Sequence, residues 1–334
     1  MSKLGFKGEY RVTIRNADGS VKKEMGPFTN KITDLGLNRM FLGNWLTCIM
    51  VGTGSSEPSA TQTSLDNVLS SSRKFTSVSV NERELDENPA FIKERVIARF
   101  EEDWATGNIS EMGVGWYVGD WSSRDQPAPS ELNFFTFSRV LPRDELGNPV
   151  TITVISTDIV DVEFILTLYV DTSIRTTYSE IAGVSRTIEY RPVYMNYRGN
   201  WRIFTRDAQL NSPGRPFQMA GYRSPARDSS LYGGFEPIDS SNIPTSTDSP
   251  STTSTFKDTD FQEDVTHTWE YLSANTENGI GWFFFHTGNR SLASNLGYFG
   301  IACLFMFKID PPIPKTENDN LDLTVRISVN RAGE

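Results

Sequence analysis

The segment PVTITVISTDIVDVEFILTLYVD, residues 149–171, alternates apolar and polar side chains with a period of two along most of its length. Successive side chains on an extended backbone point to opposite faces, so this pattern buries one face of a strand, whereas a helix would scatter the same residues around its circumference. Two strands are predicted here, with Ile152, Val154, Val162, Phe164 and Leu166 directed to a core. A chain built from such stretches has to stack its sheets against each other or against a helix.

The same reading extends along the chain. GEYRVTIRNADGSVKKEMGPF, residues 8–28, is a hairpin: Tyr10, Val12 and Ile14 alternate, Asp18 and Gly19 form the turn, and Val21 begins the return. NKITDLGLNRMFLGNW supplies a short helix near residues 33–44, with Ile32, Leu35, Met40 and Phe41 as its apolar set and Thr33 or Asn30 as its cap. CIMVGTGSSEPSATQTSLDN is a short buried strand followed by a long Gly/Ser/Thr/Pro loop. The GTGSS turn lacks the Lys-Ser/Thr of a phosphate loop and reads as a flexible turn. From 211 to 258 aliphatic residues are few, and Ser, Thr, Pro and Gly abound. That composition predicts an extended arm, with Phe217, Tyr222, Tyr232 and Phe235 as candidate contacts to another subunit.

The two halves correspond. RFEEDWATGNISEMGVGWYVG leads through FFTFSRVLPRDELGNPVTITV, and TWEYLSANTENGIGWFFFHTGNRS leads through LFMFKIDPPIPKTENDNLDLTV. Each half has an aromatic strand, a polar excursion, Gly-x-Gly-Trp, a second aromatic strand, a turn containing proline, and a closing alternating strand. Gly113, Gly115 and Trp116 align with Gly279, Gly281 and Trp282. The expected fold is mainly β: two related antiparallel β-sandwich modules, 1–175 with the hairpin and helix, and 176–334 with the arm. The strand LDLTVRISVNR then completes the core of the second module.

Charge and residue chemistry narrow the function. A net charge of −10 opposes a nucleic-acid grip, which needs clustered Lys and Arg to displace counterions. No apolar run approaches the ~20 residues that span a bilayer, and MSKLGFKGEY has no signal-like apolar core, so synthesis in a reducing cytoplasm without membrane insertion is expected. Cys48 and Cys303 sit in apolar runs as free thiols. His267 and His286 have no Cys or His at ligand spacing, so no metal or other cofactor is expected. Asp158, Asp161 and Glu163 alternate along one strand as a solvated face, with nothing to suggest the opposed carboxylates of a glycosidase. The chain therefore reads as a non-enzyme. An alternative is glycan or host-receptor binding, for which Trp116, Trp121 and Asp120 would stack on and bond a sugar.

GPFTNKITDLGLNRM followed by VGTGSSEPSATQTSLDN resembles the N-terminal pattern of tailed-bacteriophage structural proteins of the tail-fibre and tail-associated kind. ISEMGVGW with FFTFSRVLPRDELGNPVTITV is similar to a second element of those chains, and FKIDPPIPKTENDNLDLTVRISVNR to their C-terminal strand pair. The three cover about half of the chain, in the usual order. The resemblance implies a virion component, made in the host cytoplasm, at the tail, neck, collar or baseplate. Its implied partners are copies of itself and other phage tail or neck proteins. It carries over no catalytic or ligand-binding residue, and the long repetitive shaft of a receptor-binding fibre is missing from this sequence.

Overall fold

A computed structural model describes residues 3–42, 45–84, 87–121, 123, 125–129, 132–193, 227–228, 251–257, 261–269, 276–286 and 304–333. The first half contains β1 (Lys3–Arg15), β2 (Val21–Thr29), β3 (Lys31–Ile32), α1 (Asp34–Leu42), β4 (Cys48–Gly52), β5 (Val68–Ser72), β6 (Phe75–Glu84), β7 (Ala90–Phe100), β8 (Gly107–Ile109), β9 (Glu111–Val118), β10 (Asn133–Val140), β11 (Ile152–Val154) and β12 (Ile159–Val170). It continues with β13 (Arg175–Ile181), β14 (Val184–Val193), β15 (Arg227–Asp228), β16 (Ser251–Lys257), β17 (Gln262–Trp269), β18 (Thr276–His286), β19 (Leu304–Lys315) and β20 (Leu321–Arg331). The described residues are mainly β, in largely antiparallel sheets with one helix, consistent with β-sandwich modules.

Two sheets sandwich the core of the first half. One is the five-stranded β3-β10-β9-β4-β5; the other belongs to an eight-stranded sheet ordered β16-β17-β20-β1-β12-β7-β6, with β2 beside β1. Tyr10 and Phe164 of the large sheet face Phe137 of the smaller one, with ring centroids 5.0 Å apart for Tyr10–Phe164 and 6.3 Å for Phe137–Phe164. Trp45 closes on Phe137 at 4.2 Å. Ile152, Val154, Val162, Phe164 and Leu166 are all buried, as their alternation predicts.

The hairpin also forms as read, with Gly19 at φ 83° in its turn. Thr33, rather than Asn30, caps the helix: its hydroxyl accepts the Gly36 N–H at 2.8 Å and donates to the Thr136 carbonyl at 2.6 Å. Gly36 has no room for a side chain, because a Cβ there would lie 2.4 Å from the Phe137 carbonyl oxygen. The first turn of α1 therefore packs directly on the backbone of β10.

The large sheet draws strands from both sides of residue 175 and forks at β1. One edge of β1 pairs with β12 along its length; on the other, Lys3–Phe6 run parallel to Ser328–Arg331 of β20, and Glu9–Arg15 pair antiparallel with β2. Arg331 bonds the Ile32 carbonyl at 2.6 Å and pairs with Asp34, which fastens β20 to the start of α1. The pairing pattern recurs between the halves. The inner hairpins β9–β10 and β18–β19 lie in separate five-stranded sheets, while their flanking strands, β7 with β12 and β17 with β20, pair in the shared sheet. Within the inner hairpins Trp116 is opposite Phe135, and Trp282 is opposite Lys308.

The predicted arm departs from expectation at its end. Ser251–Lys257 form β16, paired with β17 from Ser251↔Thr268 to Lys257↔Gln262. Its run of β-branched threonines suits a ladder despite the polar composition that suggested a loop. Phe217, Tyr222, Tyr232 and Phe235 lie outside the described residues.

Candidate functional site

The loop between β4 and β5 carries Thr53 to Asn67, and a buried carboxylate organises it. Glu111 opens β9 with its side chain fully buried. Its Oε1 accepts the backbone N–H groups of Gly54 and Asn67, both at 2.8 Å, and its Oε2 accepts that of Asp66 at 3.0 Å. Arg139 of β10, equally buried, donates Nε to the same Oε2 at 2.8 Å. The guanidinium then reaches Ser56 Oγ at 3.0 Å and Asp66 at 2.7 Å, so both ends of the loop hang from one ion pair. Burial alone would lift the Asp66 carboxyl, but bonds from Ser56 and Arg139 outweigh it and hold the group below the usual carboxylate range.

Glycine makes this approach possible: a Cβ on Gly54 would sit 2.4 Å from Glu111 Oε1. The Gly-x-Gly of this loop is therefore a docking point for a carboxylate. The expectation of a flexible turn at GTGSS is corrected accordingly, since the N–H of Gly54, the N–H of Ser56 and the Ser56 hydroxyl are all bonded.

A second ordered loop, 142–150, stands beside the first. Asp144 Oδ1 accepts the N–H groups of Leu146 and Asn148, and Val150 N–H closes on the Pro142 carbonyl at 2.9 Å. Arg143 of this loop pairs with Glu57 of the first at 2.6 Å. Leu146 projects at the tip, 87% exposed. The two loops thus stand side by side, each braced by its own hydrogen bonds and joined by the Arg143–Glu57 pair.

The predicted sugar-binding trio does not converge on an open site. Trp116 is 6% exposed; Phe135 stacks on it at 5.7 Å, and the Arg39 guanidinium stands 5.2 Å from its ring centre. Trp121 is 4% exposed and packs with Cys48, Met50 and Leu65, with Arg73 over its ring at 5.6 Å. Asp120 is exposed. Sugar stacking requires an open aromatic face, and both indoles are used for packing and cation–π contacts, so their assignment as glycan contacts is corrected. Arg73 also bonds the Tyr117 hydroxyl at 2.7 Å, which makes this cluster a structural support for β9 and the chain that follows.

Asp158, just before β12, and Asp161 within it are not part of a solvated face either. Asp161 accepts Arg99 Nε and Arg15 Nε, each at 2.8 Å, and Lys22 reaches Asp158 at 2.7 Å. Both carboxylates are buried, so their charges are met within the sheet rather than by water. Cys48 is buried, and burial pushes its thiol up to about 12, far from nucleophilic reactivity. Among the described residues no group of three His, Cys, Asp or Glu side chains gathers as a metal site. No described helix is long and apolar enough to cross a membrane.

Fold and loops together define a β-sandwich protein with a preorganised loop surface. Comparison with known proteins gives no match: no family model, no curated protein and no solved structure is significantly similar to the chain. The Glu111–Arg139 pair escaped the sequence reading because a lone Glu and a lone Arg almost thirty residues apart carry no spacing signal. The available clue was the pair of glycines that admits the carboxylate.

Proposed function

We propose that the chain is a structural component of a tailed-bacteriophage virion, a tail, neck/collar or baseplate subunit that works through subunit contacts and carries fibres. The observation that carries this reading is the paired loop surface: the fully buried Glu111–Arg139 pair holds the Thr53–Asn67 loop, and the exposed Arg143–Glu57 pair joins to it the loop that presents Leu146 to a neighbour. Such preorganisation favours persistent contacts, because little conformational entropy is lost when a partner docks. The resemblance of three motifs to phage tail proteins supports the same reading, and the first two of those motifs pack against each other. Gly36 packs on Phe137, Gly54 on Glu111, and Gly113 beside Leu65. Immunogold labelling of intact particles with antibody to the purified chain tests the proposal. Gold concentrated at the neck, along the tail or at its tip is the expected result, and particles free of gold in a lysate that contains the protein would overturn it.

A further inference from the structure

Strand β13 is the outer strand of the sheet β13-β14-β19-β18-β15, and all five residues from Thr176 to Glu180 are exposed on both faces. Among the described residues no strand pairs with its outer edge. Its register with β14 runs unbroken from Arg175↔Tyr190 to Ile181↔Val184, closed by Ala182 at φ 53° and Gly183 at φ 72°. Positive φ at both turn residues defines the tight two-residue hairpin in which the closing pair exchanges both hydrogen bonds. Alternation then turns the backbone groups of Ile181, Ser179 and Thr177 towards β14, and those of Glu180, Tyr178 and Thr176 outwards. Natural edge strands are blunted by proline, charged side chains or a bulge. From Thr176 to Ile181 this one has no proline, lysine or bulge and one charge, Glu180, and at its centre Tyr178 is 75% exposed.

We infer that β13 pairs antiparallel with β13 of a second copy across a two-fold axis centred on Tyr178, making one continuous sheet through both subunits. The inference deepens the assembly reading proposed above and rests on it, by naming one contact through which copies meet. A two-fold axis perpendicular to a sheet brings residues of equal parity together. Centred on Tyr178, it sets Tyr178 opposite its own copy and Thr176 opposite Glu180, so each outward backbone group finds a partner. Centring on Glu180 would instead set two carboxylates face to face. Charge also selects this region. The chain carries −10 overall, which disfavours self-association, but residues 175–191 hold three arginines and two glutamates, so the hairpin can approach its copy without that repulsion.

Directly opposed residues of a bonded antiparallel pair have Cα atoms about 5.5 Å apart, within disulfide range. Tyr178→Cys in the full chain under mild oxidation is therefore expected to give a covalent dimer on a non-reducing gel. Thr177→Cys, displaced from its own copy by two residues, is expected to stay monomeric. Tyr178→Pro removes an outward N–H without touching the β14 ladder, and is expected to leave the circular dichroism spectrum unchanged while abolishing dimers in sedimentation. A monomeric Tyr178→Cys chain, equal cross-linking by Thr177→Cys, or a folded Tyr178→Pro chain that still dimerises would each overturn the pairing. Gold on particles together with a monomeric Tyr178→Cys chain would reject the pairing and leave the virion reading standing. A Tyr178→Cys dimer from a protein absent from particles would do the reverse.

Discussion

The hydroxyl groups of Tyr10 and Ser138 lie 2.7 Å apart with both residues buried, a polar stitch between β1 of the large sheet and β10 of the smaller one. Burial drives the phenol well above its usual pKa, with the Ser138 bond opposing that shift, so the tyrosine stays neutral as donor or acceptor. Tyr10→Phe keeps the aromatic packing against Phe164 and removes only the stitch. A loss of about 1–2 kcal/mol is expected, read as a lower urea midpoint at unchanged slope.

Glu111→Gln should be much more severe. The carboxylate accepts three backbone N–H groups and the Arg139 guanidinium, and an amide in its place presents a donor to donors. Breaking a buried pair by changing one member costs about 3–5 kcal/mol. Because the second change then removes a charge already unpaired, Glu111→Gln with Arg139→Met should cost less than the two single changes added together. A double-mutant cycle in urea measures the coupling, and strict additivity would mean that the pair does not act as a unit.

Acid should loosen the base of the β13 hairpin through Asp171. Burial alone would raise this carboxyl, but bonds from Ser173 and Arg175 bring it down to about 2. A folded pKa below the unfolded value of about 3.9 gives stability that is present above pH 4 and lost as the pH falls towards 2. Asp171→Asn is expected to lower stability at pH 7 by about 1 kcal/mol, a figure discounted for solvent screening, and to flatten the decline between pH 4 and 2. Urea midpoints across that range provide the check.

Gly36→Ala places a methyl group 2.4 Å from the Phe137 carbonyl, where only backbone movement can relieve the contact. On an exposed helix position the same change would stabilise by up to about 1 kcal/mol. Here a loss of about 1–3 kcal/mol is expected, as for other overpacked sites. The sign of the change in melting temperature decides between the two.

Trp121→Ala separates packing from recognition. Removing a buried indole should cost about 3–5 kcal/mol, and titration with a bacterial surface polysaccharide should give the same trace before and after the change. A saturable sugar signal lost in the variant while the fold persists would restore Trp121 as a binding residue.

Legibility in the sequence followed the reach of each signal. Period-two alternation is local, so the hairpin at Asp18–Gly19 and the core residues of β11 and β12 could be read directly. The internal correspondence is less direct, because Trp116 stands opposite Phe135 whereas the aligned Trp282 stands opposite Lys308. What composition could not convey was whether a polar residue meets water or a partner. Asp161 looked solvated until Arg15 and Arg99 came to it from neighbouring strands, and Trp116 and Trp121 looked available until Phe135, Arg39 and Arg73 covered them. The GTGSS loop misled for the same reason: its order comes from Glu111 and Arg139, which are distant in the chain.

The parallel pairing of Lys3–Phe6 with Ser328–Arg331 gives synthesis of this protein a waiting time. Lys3 leaves the ribosome 325 residues before its partner Ser328 (328 − 3), and at roughly 5–20 residues per second the delay is roughly 15–70 s. For that interval one edge of the nascent large sheet lacks the strand that covers it. Folding of the large sheet is thus paced by translation, and a chaperone that shields the Lys3–Phe6 edge until β20 emerges would raise the yield of native protein more than one acting on the finished chain.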